Sequence, residues 1–177
     1  TREVFIPNEE IREEFIRSIK NGSRKELVKA VELSDKLLRA TINKDELTVA
    51  EIIGEAHQAN TSPKFYNNEQ ALRSVVIMAY LSSVDDYIRF EELASGKGYI
   101  DLLFLPALQS SKPALIIELK WNKSAEKAVQ QEQDQQYWKF AKQFRYKGKI
   151  LLVGINYNSK TKKHTCKIKE IESLEKN

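Results

Sequence analysis

The segment GYIDLLFLP, residues 98–106, followed after a short turn by PALIIELKW, residues 113–121, decides the fold of this chain. Apolar residues dominate both segments, and turn-forming glycine, serine and proline residues bound them, which predicts strands over 99–105 and 114–120. The second strand is almost continuously apolar, as is typical of a central strand covered on both faces. The short connection predicts that the two strands are antiparallel neighbours.

Three charged side chains interrupt these apolar strands. Glu118 and Lys120 are two residues apart and therefore project to the same side of their strand, and antiparallel pairing brings Asp101 of the preceding strand within reach of Glu118. Two converging carboxylates repel each other unless a proton or a cation lies between them. A divalent ion such as Mg²⁺ or Mn²⁺ relieves this repulsion and suits phosphodiester hydrolysis, with Lys120 orienting water or stabilising negative charge. An ion pair at a strand end, without catalysis, is the alternative.

Periodicity and capping signals predict the elements on either side of these strands. The predicted helices lie over 9–20, around 27–38, over 45–59, around 72–80 and within 123–144, and further strands lie over 87–90, 149–155 and 165–171. From the apolar helix around 72–80 onward the order is helix, three strands, helix, two strands, which indicates an α/β fold. The break at Thr61-Ser62-Pro63 predicts a boundary near residue 60. We therefore expect a helical extension or connector over 1–60 and the main domain over 61–177.

Composition excludes several classes of protein. No apolar run approaches the roughly 18 residues that span a bilayer, and the first residues lack the pattern of a signal peptide, so we expect a cytoplasmic protein without membrane contact. A single cysteine and two histidines do not make a structural zinc site, so a metal here must be held by carboxylates. Residues 111–177 contain 15 Lys/Arg against 7 Asp/Glu, and this basic half suits a polyanion as well as a plain solvated surface. Because the chain begins at Thr1 rather than methionine, we expect a longer natural protein.

Three segments carry a family resemblance: GKGYIDLLFLP (96–106), PALIIELKWNKSAEKA (113–128) and LLVGINYNSKTKKH (151–164). Together they resemble the PD-(D/E)XK nuclease-like domain found C-terminal to an AAA-ATPase-like domain in many bacterial proteins, over about residues 65–170. The resemblance implies a restriction-endonuclease-like mixed β-sheet flanked by helices, with an N-terminal helical extension. It also implies that Asp101 is the motif aspartate, Glu118 the second acidic ligand and Lys120 the motif lysine. Ile100 stands where many members of the superfamily have proline.

Further site residues follow from the same resemblance. The first core helix often supplies an acidic residue, for which Glu69 is the best match, although a glutamate in a first helical turn also suits the helix dipole. The helix after the motif strand often carries a glutamine and a tyrosine that place the phosphate or the metal-bound water. Gln131 and Tyr137 are the matches, and Gln133 is the alternative because it lies one turn before Tyr137. A polar helix face explains any one of these glutamines equally well.

The sequence thus predicts a metal-dependent nuclease that uses Mg²⁺ or Mn²⁺ on nucleic acid, with DNA as the expected substrate and an AAA-ATPase-like domain as a partner. The alternative is a catalytically inactive nuclease-fold module for nucleic-acid binding or regulatory interaction with that ATPase domain. Trp121 and Trp138 can stack on bases, although core packing is favoured for both. His164, with the two lysines before it, is expected in an exposed hairpin turn. The lysines that can follow a nucleic-acid backbone are Lys123, Lys127, Lys139, Lys142 and Lys147.

Overall fold

A computed structural model of the chain describes residues 24–60, 68–95, 98–108, 110–139 and 143–171. The helices with defined bounds in these ranges are α1 (Arg24–Ile42), α2 (Glu46–Asn60), α3 (Glu69–Ala79) and α4 (Ala125–Asp134). The strands are β1 (Tyr87–Ser95), β2 (Gly98–Pro106), β3 (Ala114–Trp121), β4 (Ile150–Asn158) and β5 (Lys163–Ile171). Single 3₁₀ turns lie at Leu81–Asp85 and Tyr137–Lys139.

The five strands form one sheet in sequence order, β1-β2-β3-β4-β5. β3 and β4 are parallel, and the other three neighbouring pairs are antiparallel, so the sheet is mixed and the predicted pairing of β2 with β3 is confirmed. The crossover between the parallel strands contains α4, as a parallel connection requires. This topology places β3, which carries Glu118 and Lys120, at the centre of the sheet.

Helices cover both faces of this sheet. On one face α1, α2 and α3 bury Leu37, Ile53 and Leu72 against strand residues such as Ile117 and Val153. On the other face Val129 of α4 and Tyr137 of the following turn lie in a second apolar cluster, with strand residues Leu103, Ile116 and Leu152. Residues 24–60 therefore share a buried core with the sheet. The division of the chain into domains at residue 60 stays a prediction.

The start of α3 follows directly from its sequence. The Asn68 side chain accepts a hydrogen bond from the backbone N–H of Ala71 at 2.9 Å, which satisfies one of the free donors of the first turn. Leu72, Val75 and Val76 then recur at helical spacing and are buried against the sheet. The cap and the apolar stripe together place Glu69 in the first turn, and the helix axis brings this end of α3 towards the ends of β2 and β3.

Two predictions of element length need correction. The expected helix within 123–144 ends at Asp134, because Gln136 adopts a left-handed φ of 58° and its N–H bonds to Gln133 instead of continuing the helical ladder. The strand predicted over 87–90 continues to Ser95, since its pairing with β2 extends to Gly98. The helix predicted over 9–20 lies outside the described residues. Among those residues, no helix is both long and apolar enough to cross a bilayer.

Candidate active site

The site lies where β2 and β3 stop pairing. Their paired residues run from Phe104 and Leu115 to Leu102 and Ile117, and Asp101 is the next residue of β2. Beyond the last backbone pair, the Asp101 side chain links the two strands: its Oδ2 accepts a hydrogen bond from the backbone N–H of Leu119 at 2.8 Å. The Asp101 carboxylate is thereby held beside the residue that follows Glu118.

Glu118 is the centre of the hydrogen bonding at this point and is only 2% exposed. Its Oε1 accepts hydrogen bonds from Lys120 Nζ at 2.6 Å and from Gln131 Nε2 at 2.5 Å. Gln131 Nε2 also lies 3.2 Å from the hydroxyl oxygen of Tyr137. The other carboxylate oxygen, Oε2, is buried and has no hydrogen-bond partner within the described part of the chain. One oxygen of Glu118 therefore accepts two hydrogen bonds, and the other accepts none from the described residues.

Electrostatic repulsion within the site acts on Glu118. Burial, followed by the charge of Asp101, raises the pKa of the Glu118 carboxyl to about 7. The hydrogen bond and charge of Lys120 act in the opposite direction, and the charge of Glu69 adds to the increase. A proton or a cation near Glu118 therefore offsets the cost of burying its charge beside Asp101. Asp101 and Glu69 are close enough to Glu118 to contribute to that cost.

The structure brings the residues predicted from the sequence together to different degrees. Asp101, Glu118 and Lys120 converge at the point where β2 and β3 separate. Gln131, rather than the alternative Gln133, reaches Glu118 and Tyr137 with its side chain. Tyr137 is 1% exposed and packs among apolar residues as well as meeting Gln131. Glu69 is half-buried at the start of α3 and has an electrostatic link to Glu118.

Arg73 is a charged residue of the site that sequence reasoning missed. It lies one turn after Glu69 in α3 and donates a hydrogen bond from its NH2 group to Asp101 Oδ1 at 2.9 Å. Its NH1 group pairs with Glu92 of β1. These two ion pairs raise the pKa of the Arg73 guanidinium although burial opposes its charge. Its spacing of four residues from Glu69 is the signal that could have indicated it, since residues i and i+4 share a helix face.

Glu132 of α4 was missed as well. It is 0% exposed, and neither carboxylate oxygen has a hydrogen-bond partner among the described residues. Burial and then the charge of Glu118 raise the pKa of the Glu132 carboxyl well above its ordinary value, although the backbone of Val153 offsets a part of this effect. The signal was its position, because Glu132 continues the inward-facing spacing of Ala125, Ala128 and Val129.

The aromatic residues near the site have a packing role. The Trp121 ring lies 4.8 Å from that of Tyr157 and belongs to the edge of the core, as favoured from the sequence. His164 does not lie in an exposed turn, because β5 already begins at Lys163 and the ring packs against Tyr157, where burial lowers the pKa of the imidazole to about 4. The Trp138 side chain and Lys142 fall outside the described residues. The other lysines considered for backbone contact are exposed: Lys123, Lys127, Lys139 and Lys147.

The donor atoms suit a hard divalent cation. Asp101 and Glu118 offer carboxylate oxygens, and no described residue bonds to the buried Oε2 of Glu118, which fits the oxygen preference of Mg²⁺ and Mn²⁺. Within the ranges that the structure describes, no group of three or more His, Cys, Asp and Glu residues is arranged to hold a metal. Mg²⁺ commonly binds through one or two carboxylates with water and phosphate completing its shell, so two protein ligands are sufficient.

Comparison with known families agrees with this geometry. A model of the PD-(D/E)XK nuclease superfamily matches residues 67–167, which is more than half of the chain. The chain belongs to the PD-(D/E)XK nuclease superfamily. The match runs from the N-terminus of α3 into β5 and includes every candidate residue above. None of the curated proteins matches the chain.

Membership in the superfamily agrees with the observed architecture, a five-stranded mixed sheet with flanking helices and a helical region before it, which is a restriction-endonuclease-like α/β fold. Nucleases of the superfamily generally use divalent metals, and their substrates are nucleic acids.

Proposed function

We propose that this protein is a metal-dependent nuclease that hydrolyses phosphodiester bonds of nucleic acid. The observation that carries the proposal concerns Oε2 of Glu118, which lies beside Asp101 and Lys120. This oxygen is buried and has no hydrogen-bond partner among the described residues. A carboxylate in that position is costly to leave uncompensated unless a ligand engages it. A divalent cation shared with Asp101 is the ligand that such a pair of oxygens selects.

Each side chain of the site has a role in this proposal. Asp101 and Glu118 would hold Mg²⁺ or Mn²⁺, with Glu69 as a further acidic group near them. When bound, the cation lowers the pKa of water and neutralises charge that develops on the phosphate. Lys120 Nζ lies 2.6 Å from Glu118 Oε1 and would orient the attacking water or donate to a phosphate oxygen.

Gln131 and Tyr137 form the second part of the proposed site. The Gln131 amide donates to Glu118 Oε1 and to the Tyr137 hydroxyl, so it holds the orientation of the Glu118 carboxylate. Both N–H groups of the Gln131 amide are used in this way, so Gln131 would position Glu118 and Tyr137, and the Tyr137 hydroxyl would be the donor that places a phosphate oxygen or the metal-bound water. Gln131→Ala would remove this bridge without removing a charge.

Cleavage assays on defined nucleic acids test the proposal. Labelled single-stranded and double-stranded DNA and RNA would be incubated with the protein with and without Mg²⁺ or Mn²⁺. We expect cleavage only with metal, with DNA as the preferred substrate, and we expect Glu118→Gln to remain folded but to lose most divalent-metal binding in calorimetric titration. Metal-independent cleavage, or unchanged metal affinity in a folded Glu118→Gln variant, would contradict the proposal.

The second candidate is a nuclease-fold module that binds nucleic acid, or regulates an attached AAA-ATPase-like domain, without catalysis. One observation favours it, since both oxygens of Asp101 are already engaged, by Arg73 and by the backbone N–H of Leu119. A protein that binds oligonucleotides but takes up neither Mg²⁺ nor Mn²⁺ would support this candidate over the enzyme.

A further inference from the structure

Arg73 occupies the position beside Asp101 that a metal ligand must leave open. Its guanidinium donates to Asp101 Oδ1 at 2.9 Å, while Asp101 Oδ2 is held by the backbone N–H of Leu119. A divalent cation on Oδ1 would lie close to this guanidinium, and two positive groups that share one oxygen repel each other strongly in a partly buried site. Arg73 and the cation are therefore competitors for Asp101.

Arg73 has a second ion-pair partner, Glu92. Its NH1 group pairs with Glu92, which lies opposite Asp101: Glu91 pairs with Leu102 and Leu93 with Ile100, so Glu92 and Asp101 are the two residues between these pairs. Glu92 has a left-handed φ of 50°, and the regular pairing of the two strands is interrupted at this position. The ion pair with Glu92 keeps the guanidinium at the site after Asp101 releases it.

The guanidinium also has unused hydrogen-bonding capacity. Its Nε is buried and has no hydrogen-bond partner in the described part of the chain. Release from Asp101 would free NH2 as a second donor, and two such donors in a planar fork match the oxygens of a phosphate. The side chain is 19% exposed, so a part of it is accessible to a bound nucleic acid, and the buried Nε would become available as a donor when the guanidinium moves away from Asp101.

We propose that Arg73 is a phosphate-binding residue that neutralises Asp101 in the metal-free protein and moves to a substrate phosphate when a divalent cation takes its place on Asp101. The inference rests on the proposed function, because it assigns the phosphate to the same site. This exchange and a merely structural role predict opposite changes in metal affinity when Arg73 is replaced. If Arg73 only positioned Asp101, its removal would weaken metal binding, whereas a competitor strengthens metal binding when it is removed.

Calorimetric titration of the protein alone with Mn²⁺ tests the exchange. We expect Arg73→Gln to lower the Kd for Mn²⁺ roughly fivefold or more, in line with the loss of one part-buried competing ion pair. Arg89→Gln is the matched control, because Arg89 is also 19% exposed and pairs with Glu91. Among the described residues its buried Nε likewise has no hydrogen-bond partner, and no hydrogen bond or ion pair joins Arg89 to Asp101. The Mn²⁺ affinity of this variant should equal that of the parent protein.

Oligonucleotide binding tests the phosphate contact separately. A fluorescent single strand with phosphorothioate linkages, which resist hydrolysis, would be titrated in the presence of Mn²⁺. We expect Arg73→Gln to raise its Kd roughly fivefold or more through the loss of a charge-assisted contact, and Arg89→Gln to leave it unchanged. The same substitution thus strengthens metal binding and weakens nucleic-acid binding.

Arg73→Lys provides a second variant in case the glutamine variant is unstable in thermal unfolding. An ammonium group cannot bridge Glu92 and Asp101 as the guanidinium fork does, so the shifts should have the same signs and smaller size. An unchanged or weaker Mn²⁺ affinity in the folded variants overturns the exchange, and an unchanged oligonucleotide affinity overturns the phosphate contact. Both measurements are made without cleavage, so a parent protein that binds metal and nucleic acid but does not hydrolyse it would contradict only the proposed function.

Discussion

The buried carboxyls of Glu118 and Glu132 are close enough for their charges to repel each other, but they differ in their hydrogen bonding. Glu118 has two donors on one oxygen, whereas within the described part of the chain neither oxygen of Glu132 has a donor in hydrogen-bonding geometry. Lys120 donates to Glu118 Oε1 and is itself 6% exposed. We therefore expect a substitution of any of these three side chains to act mainly through the change in charge.

Replacement of Lys120 separates catalysis from ion pairing. We expect Lys120→Ala to slow metal-dependent cleavage by about 100-fold or more while changing Mn²⁺ affinity little, because Lys120 donates to Oε1 of Glu118 and, unlike Arg73, does not occupy the oxygen that the cation would take. If the lysine serves only as an ion-pair partner for Glu118, the variant should instead lose stability without a selective effect on rate. Cleavage rates, calorimetry and thermal unfolding of the same variant distinguish the two cases, and a folded variant that cleaves at the parent rate contradicts the catalytic role.

Glu132 should make stability depend on pH. Its pKa is raised in the folded protein, so folding favours the protonated form, and the stability that this proton provides is lost as the pH rises above the ordinary value of 4.5. Glu132→Gln cannot ionise, and we expect it to be more stable than the parent at pH 8, by about 1–3 kcal/mol, with the difference shrinking towards pH 4.5. Urea unfolding at several pH values measures this.

The exposed Glu126 on the same helix provides the control for this experiment. Glu126→Gln should give no comparable gain, because its side chain lies in water in both the folded and the unfolded chain. Equal stability of parent and Glu132→Gln across the whole pH range would mean that the Glu132 carboxyl is compensated in solution.

At the scale of elements, the position of α4 on β4 depends on one glycine. A Cβ added at Gly154 would lie 2.2 Å from the carbonyl oxygen of Ala125 and 2.8 Å from the Cβ of Ala128. Gly154 is also the residue paired with Glu118 across β3 and β4. The close approach of helix and strand at this point therefore determines how far Gln131 reaches towards Glu118.

We expect Gly154→Ala to push α4 away from β4 and to cost about 1–3 kcal/mol of stability, as overpacking of a tight core does. Because Gln131 moves with the helix, Mn²⁺ affinity should fall as well. Gly54→Ala in α2 is the matched control, since its Cβ would lie at an ordinary 3.6 Å from His164 Nδ1 and alanine favours the helix by up to about 1 kcal/mol. A Gly154→Ala variant as stable as the parent would show that α4 is not held at this distance.

At the scale of the whole molecule, the helices before residue 60 and the sheet bury one apolar cluster together. Ile53 of α2 is 0% exposed and lies in the same cluster as Val153 of β4 and Tyr157 near its end. The lysine-rich second half of the chain is part of this body, because α2 packs against β5. Unfolding should therefore involve helices and sheet together.

Ile53→Ala tests this coupling. We expect a loss of about 2–5 kcal/mol, as for other large-to-small core substitutions, with circular dichroism and tryptophan fluorescence following one common transition. Leu47→Ala on the same helix is the control, since Leu47 is 79% exposed and its truncation should change stability by no more than about 0.5 kcal/mol. Helical signal that disappears before the fluorescence changes would instead support an independent unit over 1–60.

The strands, their order in the central part of the chain, and the candidate triad of Asp101, Glu118 and Lys120 were predictable from the sequence. The reason is that these features are local: strand alternation alone places Glu118 and Lys120 on one side, and a short turn alone makes β2 and β3 neighbours. The start of α3 was predictable on the same grounds, since Asn68 caps the helix through a hydrogen bond to a residue three positions later.

Only the tertiary structure decided what surrounds this triad. Arg73 reaches Asp101 from a helix 28 residues earlier in the chain, and Glu132 loses its contact with water only because α4 lies directly on β4 at Gly154. Neither contact follows from periodicity, since a polar helix residue is solvated or buried according to what packs against it. The sequence therefore determined which groups are available for chemistry, and packing over long separations determined their charge, burial and competition for Asp101.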